Sequence, residues 1–184
     1  SPETLAGYIL YSNRLLYPLW GNLEGAVREG THRWEQTFGG RSGVFEELFA
    51  TEEARREFVA GMHGLGLLSS PEVVAAVDLS RFRHLCDVGG ATGHLAIAAC
   101  RRYPGLRATV FDLPDVIAQA RSYVEAAGLA DRIDLRAGDF RVDAGQGPAC
   151  RFGTRLREHA IDRQRALRGQ EGIGLALVLA ADAL

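Results

Sequence analysis

The sequence predicts an α/β fold in which a helical region precedes part of a parallel sheet. Three observations carry that prediction. Short runs suited to strands, at residues 84–88, 108–111 and 133–137, each stop at or beside a glycine or an acid. Helix-length segments at 95–102 and 114–127 separate them, and strands alternating with helices of this length build βαβ units. The first eighty residues instead carry apolar side chains at helical spacing.

Residues 1–80 form the first zone. Leu15, Leu16, Leu19 and Leu23 make one stripe that Ala26 and Val27 continue. Residues 44–62 place Phe45, Leu48, Phe49, Phe58 and Val59 among acids and arginines. Pro71 stands where the first turn of a new helix accepts proline, and Val73, Val74 and Val77 follow it. Such helices form a layer that packs on another element.

Residues 81–140 form the second zone. The run 84–88 ends in Gly89 and Gly90, a buried strand entering a glycine turn. A helix over 95–102 stops at Pro104 and Gly105. A second strand, 108–111, is rich in β-formers. The helix over 114–127 has proline at its start and Gly128 at its end, and 133–137 is a third, weaker strand. The third zone, 141–184, holds six arginines between Arg151 and Arg168, in a segment that suits an amphipathic helix over 154–168 closed by Gly169. A nine-residue apolar run at 173–181 suits a buried strand.

Composition narrows the function classes. With 47% apolar and 24% charged residues among 184, the chain has the balance of a globular protein with a sizeable core. A net charge of −2 favours neither a nucleic-acid backbone nor an anionic membrane. No apolar run reaches the roughly 18 residues that span a bilayer. Three widely spaced cysteines, Cys86, Cys100 and Cys150, fit neither a disulfide framework nor a zinc site, and they point to the cytoplasm. All 21 basic residues are arginine, a bias expected of GC-rich coding DNA. The chain starts at Ser1 and its single methionine is Met62, so a piece of a longer protein is expected.

The chemistry concentrates at the first strand–helix junction, Asp87-Val88-Gly89-Gly90-Ala91-Thr92-Gly93-His94. In open α/β sheets such a turn brings backbone N–H groups to the ligand-binding end of the strands, and small residues let a ligand approach the backbone. The dinucleotide fingerprint needs glycine at positions one, three and six; counted from Gly89 these are Gly89, Ala91 and His94. A phosphate-cradling loop needs a lysine, and the chain has none. The pattern Asp-x-Gly-x-Ala-x-Gly remains, and it resembles motif I of class I S-adenosylmethionine-dependent methyltransferases. Asp112 closes the second strand 19 residues after Gly93, the place of a carboxylate that accepts both ribose hydroxyls. The alternative is that Asp112 or Asp115 caps the helix starting at Pro114. In the ligand reading, Asp139 binds an adenine amino group and Phe140 lies against the ring.

The stretch from Trp20 to Phe140 resembles the small-molecule O-methyltransferases related to acetylserotonin (hydroxyindole) O-methyltransferase. The residues that carry the likeness are Glu24 to Gly30 (EGAVREG), Met62-His63-Gly64, Asp78 to Phe82 (DLSRF), the Asp-Val-Gly-Gly turn, Val110 to Pro114 (VFDLP) and Gly138-Asp139-Phe140. The resemblance implies a partial Rossmann-like sheet holding S-adenosylmethionine, behind a helical region that helps enclose a hydroxylated aromatic small molecule. It implies a homodimeric parent protein; the expectation of no nucleic-acid or membrane partner comes from the charge balance and the length of the apolar runs. Carried over by position, Gly89, Gly90, Gly93, Asp112, Leu113, Asp139 and Phe140 fall on cofactor-binding places, and Ala91 replaces a glycine common in the family. The organisation expected is a helical segment at 1–80, a cofactor-binding βαβαβ half at 81–140 and an atypical tail at 141–184, with the family's length truncated at both ends.

The chain departs from the family after Phe140. Relatives continue to a His-Asp-Trp sequence whose histidine is the general base, whereas here Arg141 follows and no such run occurs. His159 precedes Ala160 in the arginine-rich segment and reads as a surface residue; His63 and His94 read as packing or turn residues. The catalytic residue therefore stays unassigned. Three readings follow: an O-methyltransferase or a piece of one, a cofactor-binding remnant without turnover, and a nucleotide-dependent dehydrogenase, which the glycine spacing disfavours. The tail suits either a frameshift in GC-rich DNA or a genuine short variant whose last helix and strand extend the sheet.

Overall fold

A computed structural model describes residues 4–39, 51–139 and, for the backbone alone, 177–181. The described residues fall into two compact units that divide between Leu65 and Gly66, inside one long helix.

The first unit is helical. Its chain runs as α1 (Ala6–Tyr11), a π-helical turn (Ser12–Leu16), α2 (Tyr17–Gly21), α3 (Leu23–Glu29) and α4 (Trp34–Phe38). The long helix α5 (Glu52–Ala76) contributes its first part to this unit. Close approach of α1 to α5 depends on glycine: a Cβ on Gly7 would stand 3.0 Å from the Gly61 backbone nitrogen. Tyr11, buried, meets Phe58 edge-on at 5.4 Å between centroids. The expected leucine stripe is only partly inward. Leu15, Leu16 and Leu19 are half-buried, while Leu23 and Val27 are exposed. The π-helical turn adds a residue to one turn and shifts the phase of the face behind it.

Pro71 corrects the sequence reading, because it lies inside α5 instead of opening a new helix. Proline there removes one i→i−4 hydrogen bond, the one to the Leu67 carbonyl, yet the helix runs on to Ala76. Tertiary contacts offset the loss: Ser70 and Val74 are buried, and Val74 joins the core of the second unit.

The second unit is built on a four-stranded sheet, in the order β3-β2-β1-β4. It contains β1 (His84–Val88), α6 (His94–Arg102), β2 (Arg107–Asp112), α7 (Pro114–Ala126), β3 (Ile133–Ala137) and β4 (Leu177–Ala181). β1, β2 and β3 are parallel, with His84 opposite Arg107 and Ala108 opposite Ile133. β4 pairs antiparallel with β1, Leu177 opposite Val88. Of the apolar run 173–181, the described part, 177–181, is a strand, and its antiparallel pairing makes the sheet mixed. The helix expected over 154–168 lies outside the described residues.

Leu85 and Val110 of the central strands are buried and pack with Ala96, Ile97, Cys100, Leu106, Ile117 and Val124. Each fully buried aliphatic side chain contributes about 1.5–3 kcal/mol. This core fixes the strand ends that carry the site. Gly128 ends α7 with φ +68°, the left-handed position glycine takes without a Cβ penalty. Among the described residues, no helix is long and apolar enough to cross a membrane.

Candidate functional site

Two hydrogen bonds beyond the strands bring the predicted residues together. The Gly89 N–H donates to the Phe111 carbonyl at 2.8 Å, and the Gly138 N–H donates to the Asp112 carbonyl at 2.9 Å. They extend the β1–β2 and β2–β3 ladders past their last pairs. The glycine turn, Asp112 and Gly138-Asp139 thus sit side by side at the carboxyl edge of three parallel strands, where open α/β sheets bind ligands.

The glycines of the turn are glycine for different reasons. Gly89 has φ +73°, and a Cβ there would meet nothing within 4 Å, so the turn has open space above it. At Gly90 the demand comes from within the protein, since a Cβ would stand 2.7 Å from Asp87 Cγ and 2.9 Å from Val110 Cγ1. Gly93 combines φ +76° with a Cβ position 3.2 Å from Val110 Cγ2. Its N–H donates to the Gly90 carbonyl at 2.7 Å, closing the turn, and its carbonyl accepts the Ile97 N–H at 2.8 Å as α6 begins.

Asp112 holds this turn from the neighbouring strand. Oδ2 accepts the Ala91 N–H at 2.8 Å and Oδ1 accepts the Leu113 N–H at 2.7 Å. Burial raises the Asp112 pKa, and the Leu113 and Ala91 amides oppose that shift. Helix capping is not its role: α7 has Leu113 at its N-cap and no side-chain cap. A carboxylate offers about four lone-pair sites, so two remain for hydroxyl donors after both amides are satisfied. Asp115 lies in the first turn of α7, a favourable place for an acid against the helix dipole.

Asp87 lies beneath the turn with 1% exposure. Neither carboxyl oxygen meets a hydrogen-bond donor in good geometry. Burial and then the like charge of Asp112 push its pKa up to about 7, with the Ala96 amide pulling the other way. The site therefore places two acids on adjacent strands beside the turn, and Asp112 is the one whose carboxylate reaches the strand edge, an arrangement that suits a ligand bearing hydroxyls.

Of the remaining predicted residues, Leu113 and Asp139 are half-buried at the same edge, and Phe140 lies outside the described residues. His63 sits on α5 in the first unit, where burial lowers its pKa. His94 opens α6 directly after the glycine turn, hydrogen-bonded to Ser70 at 2.8 Å. The sequence reading missed the part of Ser70 in this contact. The one signal for it is Gly66, four residues earlier on the same helix face.

Comparison with known proteins gives a concordant result. The family profile described as O-methyltransferase domain matches residues 20–147. Acetylserotonin O-methyltransferase of Bos taurus is 39% identical over 145 residues, covering 78% of this chain and 42% of that protein. A Homo sapiens protein named probable bifunctional dTTP/UTP pyrophosphatase/methyltransferase is 40% identical over 142 residues, covering 76% of this chain and 23% of its own. The crystal structure of human N-acetylserotonin methyltransferase in complex with SAM superposes with a TM-score of 0.68 at 34% identity, covering 78% of this chain and 41% of that one. The chain thus spans about two fifths of the acetylserotonin O-methyltransferases it matches.

Proposed function

The chain belongs to the O-methyltransferase domain family, and from that premise we propose that its glycine turn binds S-adenosylmethionine for methyl transfer to a hydroxyl group on a small, aromatic molecule. The observation that carries this reading is the Asp112 carboxylate, pinned to the Ala91 amide at the open edge of the sheet. The fit of the cofactor rests on the open space above Gly89 and on the free acceptor sites of Asp112. Asp112 would take the ribose hydroxyls, Gly89, Gly90 and Gly93 would present the backbone of the turn, and Leu113, Asp139 and Phe140 would border the adenine.

S-adenosylmethionine, when bound, supplies an electrophilic methyl on a sulfonium. The contribution of this chain is to fix the donor so that an acceptor oxygen meets the methyl in line, an ordering worth roughly 7–11 kcal/mol of a barrier. A general base adds about 10²–10⁴-fold. Within these 184 residues no His-Asp-Trp run follows Phe140, and that favours a second reading, cofactor binding without turnover. In either case the cytoplasm is the expected location and a homodimer the expected parent assembly.

Calorimetric titration with S-adenosylmethionine, combined with transfer of a labelled methyl group to hydroxyindoles and phenols, separates the readings. Binding with turnover supports the enzyme, and binding without turnover supports the second reading. Saturable NAD binding with no S-adenosylmethionine binding overturns both in favour of a dehydrogenase.

A further inference from the structure

The glycine turn is held from a third side, through a contact that no motif marks. His94 is the first residue of α6, and its Nδ1 lies 2.8 Å from the hydroxyl of Ser70, itself 2% exposed, on α5. One helical turn earlier, Gly66 makes the room: a Cβ there would stand 2.4 Å from Cγ of the His94 ring and 2.5 Å from Cδ2 and Nδ1. Residues 66 and 70 share a helix face, so the ring lies over bare backbone and is tied at one edge by the hydroxyl. All three residues belong to the second unit.

The start of α6 needs such a hold. The first amides of a helix lack intrahelical partners and are normally satisfied by an N-cap side chain. Here the N-cap is Gly93, which provides none. This part of α5 is itself fixed, because Val74 packs in the core and the Tyr103 hydroxyl donates to the Val77 carbonyl at 3.1 Å. A serine hydroxyl donates or accepts, so the bond survives either tautomer of the ring.

We propose that the Ser70–His94 hydrogen bond, seated in the notch left by Gly66, is a latch that holds the glycine turn and the start of α6 in their ligand-binding pose. Ser70 and His94 are then positioning residues, and their effect on affinity rests on the cofactor reading above. Gly66 is the enabling position. Alanine there would raise helix propensity while displacing the ring, so local helix stability and latch function move in opposite directions.

The test joins amide hydrogen exchange to calorimetry with S-adenosylmethionine and S-adenosylhomocysteine. Ser70→Ala and Gly66→Ala should each speed exchange across residues 90–96 on the order of tenfold, leave β1 and α7 unchanged, and weaken both ligands on the order of fivefold. His94→Asn, which keeps a hydrogen-bonding atom near the Nδ1 position, should stay within about twofold of wild type. Unchanged exchange in Ser70→Ala, or a uniform rise over the whole sheet, overturns the latch. Wild-type protein that binds neither ligand while Ser70→Ala still loosens 90–96 overturns the cofactor reading and supports the latch.

Discussion

Asp112 reaches across to the first strand end, where its Oδ2 accepts the Ala91 amide at 2.8 Å while Oδ1 accepts the Leu113 amide at 2.7 Å. One carboxylate therefore fixes the turn after β1 and the start of α7 together. Hydrogen bonds to charged groups are worth about 1.5–3 kcal/mol each. Asp112→Ala should lower the unfolding free energy by at least about 1.5 kcal/mol and weaken S-adenosylmethionine binding by at least about 1 kcal/mol. Asp112→Asn, with one acceptor oxygen left, should fall between. Urea titration and calorimetry read the two effects separately, and unchanged affinity in Asp112→Ala would remove the ribose role.

Ala91 holds a left-handed conformation with φ +49°, where the other positive-φ positions among the described residues are glycines. That conformation costs a residue with a Cβ roughly 1–2 kcal/mol, while the greater freedom of glycine in the unfolded chain costs about 0.4–1 kcal/mol. Ala91→Gly should therefore stabilise the protein by about 0.5 kcal/mol. Ala91→Val should destabilise it, because a β-branched side chain tolerates this region least. A urea midpoint that falls in Ala91→Gly would show that the Ala91 methyl contributes packing that outweighs the strain.

The buried Asp87 gives stability a pH dependence of defined sign. Its folded pKa, about 7, lies above the ordinary 3.8, so between those values the folded state binds the extra proton. Stability from this group is complete below about pH 4 and declines as pH rises through 7. The steepest slope approaches about 1.4 kcal/mol per pH unit. Asp87→Asn keeps the shape against Gly90 and removes the titration. Its urea midpoint should change less than that of wild type between pH 5 and pH 8, and it should be the more stable protein at pH 8. Parallel profiles for the two proteins would mean that Asp87 does not titrate in this range.

The legible parts of this protein were those whose physics is local. β1, β2 and β3 announce themselves as short apolar or β-branched runs ending in Gly89, Asp112 and Gly138, and helix ends follow Pro114 and Gly128. The place of Asp112 at the end of β2 is legible from the β-forming run before it, although its hold on Ala91 is not, since that bond spans 21 residues. Pro71 misleads because proline rules are local, whereas buried Ser70 and Val74 keep α5 continuous. Asp87 reads as the head of a motif. Its exclusion from water becomes apparent only when β1 takes a central place in the sheet. The Gly66, Ser70 and His94 contact shows in the sequence only as the i,i+4 spacing of Gly66 and Ser70, which does not point to His94.

Arg132 gives the sharpest test of how the sheet edge supports the site from below. Its Nη2 donates to the carbonyls of Cys100 at 2.9 Å, Tyr103 at 2.7 Å and Leu106 at 2.6 Å, and its Nε donates to Leu106 at 3.2 Å. These carbonyls belong to the end of α6 and the loop entering β2, where helix carbonyls lack intrahelical partners and the dipole favours a cation. Nε and Nη2 grip the Leu106 carbonyl as a fork while the two Nη2 hydrogens are shared among the three carbonyls, and an ammonium lacks the Nε arm of that fork. Arg132→Ala should cost about 2–3 kcal/mol, and Arg132→Lys should recover less than half of the loss. Because α6 starts at the glycine turn, the same variants should also weaken S-adenosylmethionine binding, though by less than Asp112→Ala does. Chemical denaturation with parallel calorimetry measures both quantities. Full recovery by lysine would reduce the role of Arg132 to charge alone and sever its geometric link to the site.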